Sequence, residues 1–542
     1  MRFIIALSLL AAAALAAQSQ PPAKPGSVAG AVTNLATGAP IRNCTLILNS
    51  HRPIRYNTVT DDRGRFLFPK VDPDPGYEPA AQCQGFAMPE RTRQTMRDSP
   101  PIPVGEDQHV ENVSVKLVPL AAIGGKVVDP DGDPLRGVSV QVLQYRYVNG
   151  NKRLDVMADS TTDARGQYRL FFLKPGRYLI RAFLRVTPPG PPGLPGHTHS
   201  SIPDEGFLPA WYPGVPELAQ AAAIDVKPAA ELSAYDFRMV RTPVFHIRGK
   251  LISNLPKPPA VQVGHCATAF LDRSYLFPAD LQPDGAFDAR GIPPGQYCLS
   301  ASQLNWRLVS ADAVLTVANR DVEGAVLTAP DGAEISGSVE VEGDPNYKIP
   351  KLGLNLQNSA TDACCDSIVR QQDDGSFIFR KVPPGTYVFG YANLPPDLYL
   401  KSLHLGDREL ASDRVEVRSG SPGKLTVILG AGTGQVSGTV QDAEGKPADY
   451  TFVTLAPKGD RAGRSDLHYS ANTRPDGSFQ ISGVAPGDYS VFAWEAPQEI
   501  RSPEFLKLFA DKAASITVSS AGTAPVQVKA IPVQDIEEAL WK

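Results

Sequence analysis

Over most of the chain, apolar and polar residues alternate in short runs, and many runs end at an Asp-Gly or Pro-Gly pair. Alternation with a period of two places every second side chain on one face, the pattern of a strand that buries one side. In Pro475-Asp476-Gly477-Ser478-Phe479 the Asp-Gly pair supplies the positive φ of a tight turn, and Phe479 and Ile481 begin the next strand. In Pro486-Gly487-Asp488-Tyr489 proline presets one turn angle and glycine accepts the other, after which Tyr489, Val491 and Ala493 share a face. The stretch predicts a β-hairpin.

The hairpin recurs. Gly166 and Gly176, Gly285 and Gly295, Gly375 and Gly385, and Gly477 and Gly487 are each ten residues apart, and Tyr178, Tyr297, Tyr387 and Tyr489 each follow the second glycine by two. A Gly-x-aliphatic opening strand precedes each copy, at Gly125-Lys126-Val127, Gly249-Lys250-Leu251, Gly337-Ser338-Val339 and Gly438-Thr439-Val440. A closing pair of alternating strands follows each, as with Val415 and Val417 before Leu425 and Val427, or Ile516 and Val518 before Val526 and Val528. A motif repeated at this interval marks repeated supersecondary units, and six to seven strands in roughly 90 to 120 residues is the size of an immunoglobulin-like sandwich. The prediction is an all-β protein, a tandem array of about five Ig-like or prealbumin-like β-sandwich modules. They span 25–118, which is divergent, 119–242, which carries a Pro/Gly-rich insertion, 243–329, 330–431 and 432–533, before a C-terminal tail at 534–542. In the first module Gly64 and Gly76 are twelve apart and Tyr77 follows at once, so its register departs from the rule. A short amphipathic helix near Pro503 to Ala514, showing Phe505, Leu506 and Phe509, is expected to cover Phe492 and Trp494 in the last module.

These residues resemble the carboxypeptidase regulatory-like domain, a transthyretin-like (prealbumin-like) sandwich. The resemblance covers nearly all of the chain after its leader and is closest where Val484-Ala485-Pro486-Gly487-Asp488-Tyr489 runs on to Phe492-Ala493-Trp494 and Pro503-Glu504-Phe505-Leu506. It looks like large exported bacterial proteins built only from such domains. In metallocarboxypeptidases this domain is an accessory to a zinc-binding catalytic domain, for which this chain has no room. The same fold neighbourhood includes starch-binding-like modules and the B repeats of adhesins, and no motif matches the Lys–Asn isopeptide of the latter.

The start of the chain bears on compartment. Met1 and Arg2 precede an almost wholly apolar run to Leu15, and Ala14 and Ala16 form an A-x-A pattern, so 1–17 reads as a signal peptide. That run is shorter than the ~20 residues of a spanning helix, and none follows after Gln20. The protein is therefore expected to be exported, to periplasm, cell surface or medium. Six cysteines suit an oxidising compartment. Cys266 and Cys298 share a strand parity opposite to their core neighbours and are candidates to pair, as are Cys44 and Cys83 in the first module, while Cys364 and Cys365 are adjacent. With 53 Lys plus Arg against 57 Asp plus Glu, no broad electrostatic footprint for nucleic acid is expected.

Catalytic chemistry finds little to stand on. No H-E-x-x-H, G-x-S-x-G or P-loop string occurs, and eight histidines are scattered over the chain, so no enzyme activity, cofactor or metal is expected. His197 and His199, with Asp204 and Glu205 beyond, lie in a glycine- and proline-rich segment and read as a solvated loop. Asp129, Asp131 and Asp133 begin like a calcium loop but lack its closing glutamate, and read as a hairpin turn. Gly430 to Gly434 reads as a linker. Sugars and peptides are held on exposed flat rings, which makes Trp211, Tyr212 and Trp306 the candidate ligand-binding residues, against the plainer reading that they seal the sandwich ends. The function expected is a non-catalytic scaffold of the cell envelope or exterior, or alternatively a carbohydrate-binding protein assisting polysaccharide adhesion or breakdown. Its partners would be a polysaccharide or another envelope protein.

Overall fold

A computed structural model describes residues 23–50, 52–148, 151–184, 205–265, 276–302, 308–329, 331–343, 347, 351–359, 367–418, 423–496, 502–520, 523 and 525–541. The expected signal peptide, His197, His199, Asp204, Cys266, Trp306, Cys364 and Cys365 lie outside the described residues. The architecture is almost entirely β. Among the described residues no helix is long and apolar enough to cross a membrane.

Each hairpin is built into its sandwich in the same way. The opening strand lies between the strand that follows the Asp-Gly turn, antiparallel to it, and a closing strand, parallel to it: Gly249 faces Phe287 on one side and Ala325 on the other. The opening glycine is dictated by this close approach. A Cβ on Gly249 would lie 1.9 Å from the Ala325 carbonyl oxygen and 2.7 Å from the Phe287 ring, and one on Gly337 would lie 2.1 Å from the ring of Phe377. The aromatic two residues after the Asp-Gly pair thus occupies the space a side chain would need. The recurrent tyrosine has an equally local reason. Its ring is buried and its hydroxyl donates to the carbonyl four residues back, from Tyr178 to Lys174 at 2.8 Å and from Tyr489 to Ala485 at 2.9 Å. A buried threonine bridges two further strands in three modules. Thr162, for example, accepts from the Val138 N–H and donates to the Leu135 carbonyl.

The chain forms two compact units, 1–89 with 99–119 and 90–98 with 120–542. The first is one sandwich. A sheet of Arg65–Val71, Gly26–Asn34, His109–Pro119 and Phe86–Ala87 faces one of Arg55–Val59, Thr45–Asn49, Asp74–Gln82 and Ile102–Val104, over a core that includes Val28, Leu46, Phe68 and Tyr77. The Cys44–Cys83 disulfide crosses this core's edge.

The second unit holds four more sets of strands, each around its own buried cluster. It also holds α1 (Arg93–Asp98), which the sequence pattern assigns to the first sandwich. The reason is ionic. The Arg93 guanidinium is buried and reaches Asp442 at 3.1 Å, Asp449 at 3.3 Å and Glu495 at 3.5 Å. In the last sandwich α2 (Pro503–Lys507) lays Phe505 and, just beyond it, Phe509 against Trp494, whose ring stacks on Phe492 at 5.3 Å. The expected tail at 534–542 is instead α3 (Val533–Leu540), which buries Ile536 and Ala539 and carries Trp541 onto the second sandwich. The glycine-rich 430–434 stretch is mostly strand, leaving only Gly432 and Thr433 between Leu425–Ala431 and Gly434–Gln441.

Fourth and fifth sandwiches meet at a buried polar joint. Arg464 forks onto Asp466 at 2.7 and 2.8 Å and donates to the Leu400 carbonyl at 2.8 Å, while the hydroxyl and N–H of Ser465 both donate to Asp413. Burial pushes the Asp413 carboxyl above its ordinary range, against the pull of the Ser465 hydrogen bonds.

Candidate functional site

The second sandwich differs from the others along one strand, Gln167–Leu173, which follows its Asp-Gly-type turn. Tyr168, Leu170 and Leu173 point into the core, and Gln167, Arg169 and Phe171 point out. Between Leu170 and Leu173 the register against Ala121–Val128 slips by a bulge, so that Phe172 also faces solvent, with φ at 61°. The same bulge position holds Gly291, Lys381 and Gly483 in the third, fourth and fifth sandwiches, all with positive φ. A bulky aromatic is out of place in that conformation, and backbone strain of this kind concentrates at functional sites. Phe171 and Phe172 are 51% and 64% exposed, with ring centroids 6.2 Å apart and planes tilted by 46°.

Beside Phe171 a shallow groove of about 540 Å³ runs over the outer face of the sheet. Gly124, which has no side chain to fill it, forms part of the floor, and Lys126, Thr161, Asp163, Gln167 and Asp236 line it. The backbone N–H groups of Gln167 and Arg165 donate to the Asp163 carboxyl and hold its pKa below the ordinary value. The Arg169 guanidinium lies 5.0 Å from the centre of the Phe171 ring and pairs with Glu231. The equivalent face of the third sandwich carries a smaller groove, of about 380 Å³, whose charged residues are already held in ion pairs, Arg248 with Asp321 at 3.0 Å and with Glu323 at 2.6 Å, and Arg290 with Asp288 at 2.8 Å. The groove of the second sandwich offers apolar rings, hydroxyls, an amide and charges of both signs. Among the described residues no three His, Cys, Asp or Glu side chains converge to hold a metal.

The predicted ligand residues sit elsewhere. Trp211 is only 7% exposed and packs with Leu143 and Leu179, its ring 5.4 Å from the Arg181 guanidinium. A ring sealed in this way has no free face for a sugar, so packing takes the ring that the sequence offered as a platform. Tyr212 is half-buried, 5.0 Å from Tyr235 and 6.1 Å from Phe237. The structure thus packs Trp211 and Tyr212 into two different apolar clusters and places neither in the groove. Of the cysteine candidates, Cys44 is bonded to Cys83, and Cys298 is disulfide-bonded on an outward strand position. The Asp129 turn is closed by its own chain. Its carboxylate accepts from the N–H groups of Asp131 and Asp133, and Arg241 reaches Asp129 at 2.7 Å and Asp131 at 3.2 Å.

Phe171 and Phe172 escape a reading of hydrophobic alternation, because one of them lies in the bulge that breaks the period. The signal is present once the hairpins are aligned. At the two positions concerned the other modules read Pro69-Lys70, Arg290-Gly291, Arg380-Lys381 and Ser482-Gly483.

The family model of the carboxypeptidase regulatory-like domain matches residues 122–187, which contain this strand and most of the groove. Among curated proteins, the BOS complex subunit NOMO3 of Homo sapiens is 25% identical over 276 residues, 46% of this chain and 20% of the relative. The NOMO1 subunit of Mus musculus is 24% identical over 276 residues, 46% and 21% of the two chains. The chain therefore spans about a fifth of the length of the curated relatives it matches. Similar solved structures include the Bacillus anthracis TIE protein, at 11% identity and a TM-score of 0.16 over 73% of this chain and 68% of that one. A streptococcal ancillary pilin gives 13% identity and a TM-score of 0.19, over 53% and 98%. At such scores the superpositions carry no functional information.

Proposed function

We propose that this protein is an exported, non-catalytic interaction scaffold whose binding face is the Phe171–Phe172 edge and adjoining groove of the second sandwich. The observation that carries the reading is Phe172, a large exposed aromatic held at positive φ where the equivalent modules place glycine or lysine. Packing cannot account for that residue, since its ring is mostly in solvent, and a surface glycine there would relieve the strain. The buried joint at Arg464 and the α3 contact support a scaffold role, because they fix sandwiches against one another within the second unit. A leader-like start supports export.

The second reading is carbohydrate binding, favoured by exposed rings beside a groove that carries hydroxyl, amide and carboxylate groups. The experiment is affinity electrophoresis of the full chain through a panel of polysaccharides, run beside a Phe171→Ser, Phe172→Gly variant, with a peptide and protein array probed by the same pair. A ligand of any class lost in the variant supports the face. Ligands bound equally by both proteins overturn it.

A further inference from the structure

We infer that the Gln167–Leu173 edge takes an extended peptide as an added antiparallel strand. The inference rests on the reading above that this edge is the binding face, and it names the class of ligand.

The chain itself contains the occupied form of the site. In the third sandwich the corresponding strand, Ala286–Ile292, has neighbours on both sides, because Leu276–Leu281 runs antiparallel beside it with Ala279 facing Ala289, Asp280 facing Asp288 and Leu281 facing Phe287. In the second sandwich Gln167–Leu173 ends its sheet, paired among the described strands only with Ala121–Val128. The preceding strand Asn151–Thr161 pairs, among the described strands, only with Val138–Val148. Thr161 and Arg169 both line the groove without a ladder between them.

Among the described strands, unpaired edges also end sheets in the first, fourth and fifth sandwiches, at Arg65–Val71, Ser376–Val382 and Ser478–Val484. Natural sheets guard such edges with proline and charge. Pro69-Lys70 and Arg380-Lys381 supply those guards, and Ser482-Gly483 gives a partner nothing apolar to hold. At the same two positions this edge carries Phe171 and Phe172. Guards are thus replaced by exposed rings on a strand whose outer edge has no partner among the described strands. Backbone pairing would give affinity there, and contacts of alternate side chains with the rings would give selectivity. The rings are tilted by 46° and Arg169 covers one face of Phe171, so they form no coplanar platform for a sugar ring.

The test is a phage-displayed library of linear decapeptides panned on the full chain, followed by synthesis of the enriched peptides. Enriched sequences should alternate apolar and polar residues. N-methylation of alternate backbone nitrogens on one edge should weaken binding at least tenfold, as a strand ladder requires. Phe171→Arg with Phe172→Lys, which copies the guarded edge of the fourth sandwich, should cost a similar factor while the circular dichroism spectrum stays unchanged. Phe172→Gly, which copies the fifth, serves as the milder variant if that pair fails to fold. Peptides that tolerate N-methylation, or that bind the variants as well as the parent, overturn the inference. Polysaccharide binding lost in the variants with no peptide enriched overturns it while leaving the binding face intact, as does a dimer in sedimentation that dissociates on the same substitutions. Loss of no ligand of any class sinks both readings.

Discussion

Trp541 meets Tyr145 edge to face, with ring centroids 5.2 Å apart and planes at 84°, although the two residues belong to the last and second sandwiches. The Arg177 guanidinium lies 4.8 Å from the centre of the same tryptophan ring, and next to it Tyr147 packs against Phe505 at 4.8 Å. The long second strand, Val138–Val148, reaches beyond its own core to make these contacts. Within the second unit, then, sandwiches distant in sequence are held together by rings and a cation.

Trp541→Ala removes the edge-on pair and the cation contact, worth about 1–2 kcal/mol together. Amide protection at residues 143–147 should fall by roughly tenfold in hydrogen exchange, since 1.4 kcal/mol is a factor of ten. Unchanged protection there would mean that the contact does not hold the sandwiches.

At the fourth-to-fifth joint, Arg464→Ala leaves Asp466 and Asp413 without their cation in a buried setting. Removing one partner of a buried ion cluster costs about 3–5 kcal/mol, to be read as an earlier first transition in urea.

Asp413 carries a pH signature at the same joint. Its folded pKa is raised by burial, so the folded state favours the protonated acid. The stability this group contributes is complete below the unfolded value of about 4 and is lost as pH rises through the folded pKa. Asp413→Asn should therefore flatten the rise in urea midpoint seen when the parent is taken from neutral pH toward pH 4. An equal slope in both proteins would refute the assignment.

Tyr178 makes the alkaline counterpart. Burial pushes its hydroxyl up to about 12, so its contribution is intact below the unfolded value of about 10 and declines between about 10 and 12. Tyr178→Phe also loses the hydrogen bond to the Lys174 carbonyl, for about 1 kcal/mol at neutral pH. Its denaturation midpoint should then fall less steeply with alkali than the parent's.

Gly249→Ala tests the close approach behind the repeated opening glycine. The new methyl group would press on the Ala325 carbonyl and the Phe287 ring, and overpacking of a closed core costs about 1–3 kcal/mol. Thermal unfolding of the third sandwich should move to lower temperature. Gly324→Ala has open space around its Cβ but a φ of +72°, which costs about 1 kcal/mol in backbone strain alone.

Much of the architecture was legible in the sequence because its determinants are local. Asp-Gly and Pro-Gly corners set the hairpins, alternation set which side chains turn inward, and Tyr178, Tyr297, Tyr387 and Tyr489 are buried as their spacing implied. The helix expected over Phe492 and Trp494 is there for the same reason, since an amphipathic stripe beside an outward aromatic pair needs a partner. The candidate site was not legible in that way. Alternation ranks residues by face, and Trp211, conspicuous by type, turned out to be consumed by packing. Phe172 stands in a bulge, where period-two counting fails, and its exposure depends on a φ that only the fold imposes.

By itself, then, the sequence determined the all-β repeat, the glycine-to-tyrosine rhythm of its turns and the parity of its strands, because each follows from backbone sterics within a few residues. The tertiary structure alone decided that α1 belongs with Asp442, Asp449 and Glu495, that Trp541 docks on the second sandwich, and that Phe171 and Phe172 stand exposed together at the end of a sheet. Those outcomes turn on which surfaces meet across hundreds of residues, and the energy of such meetings lies in desolvation and charge pairing that no local pattern records.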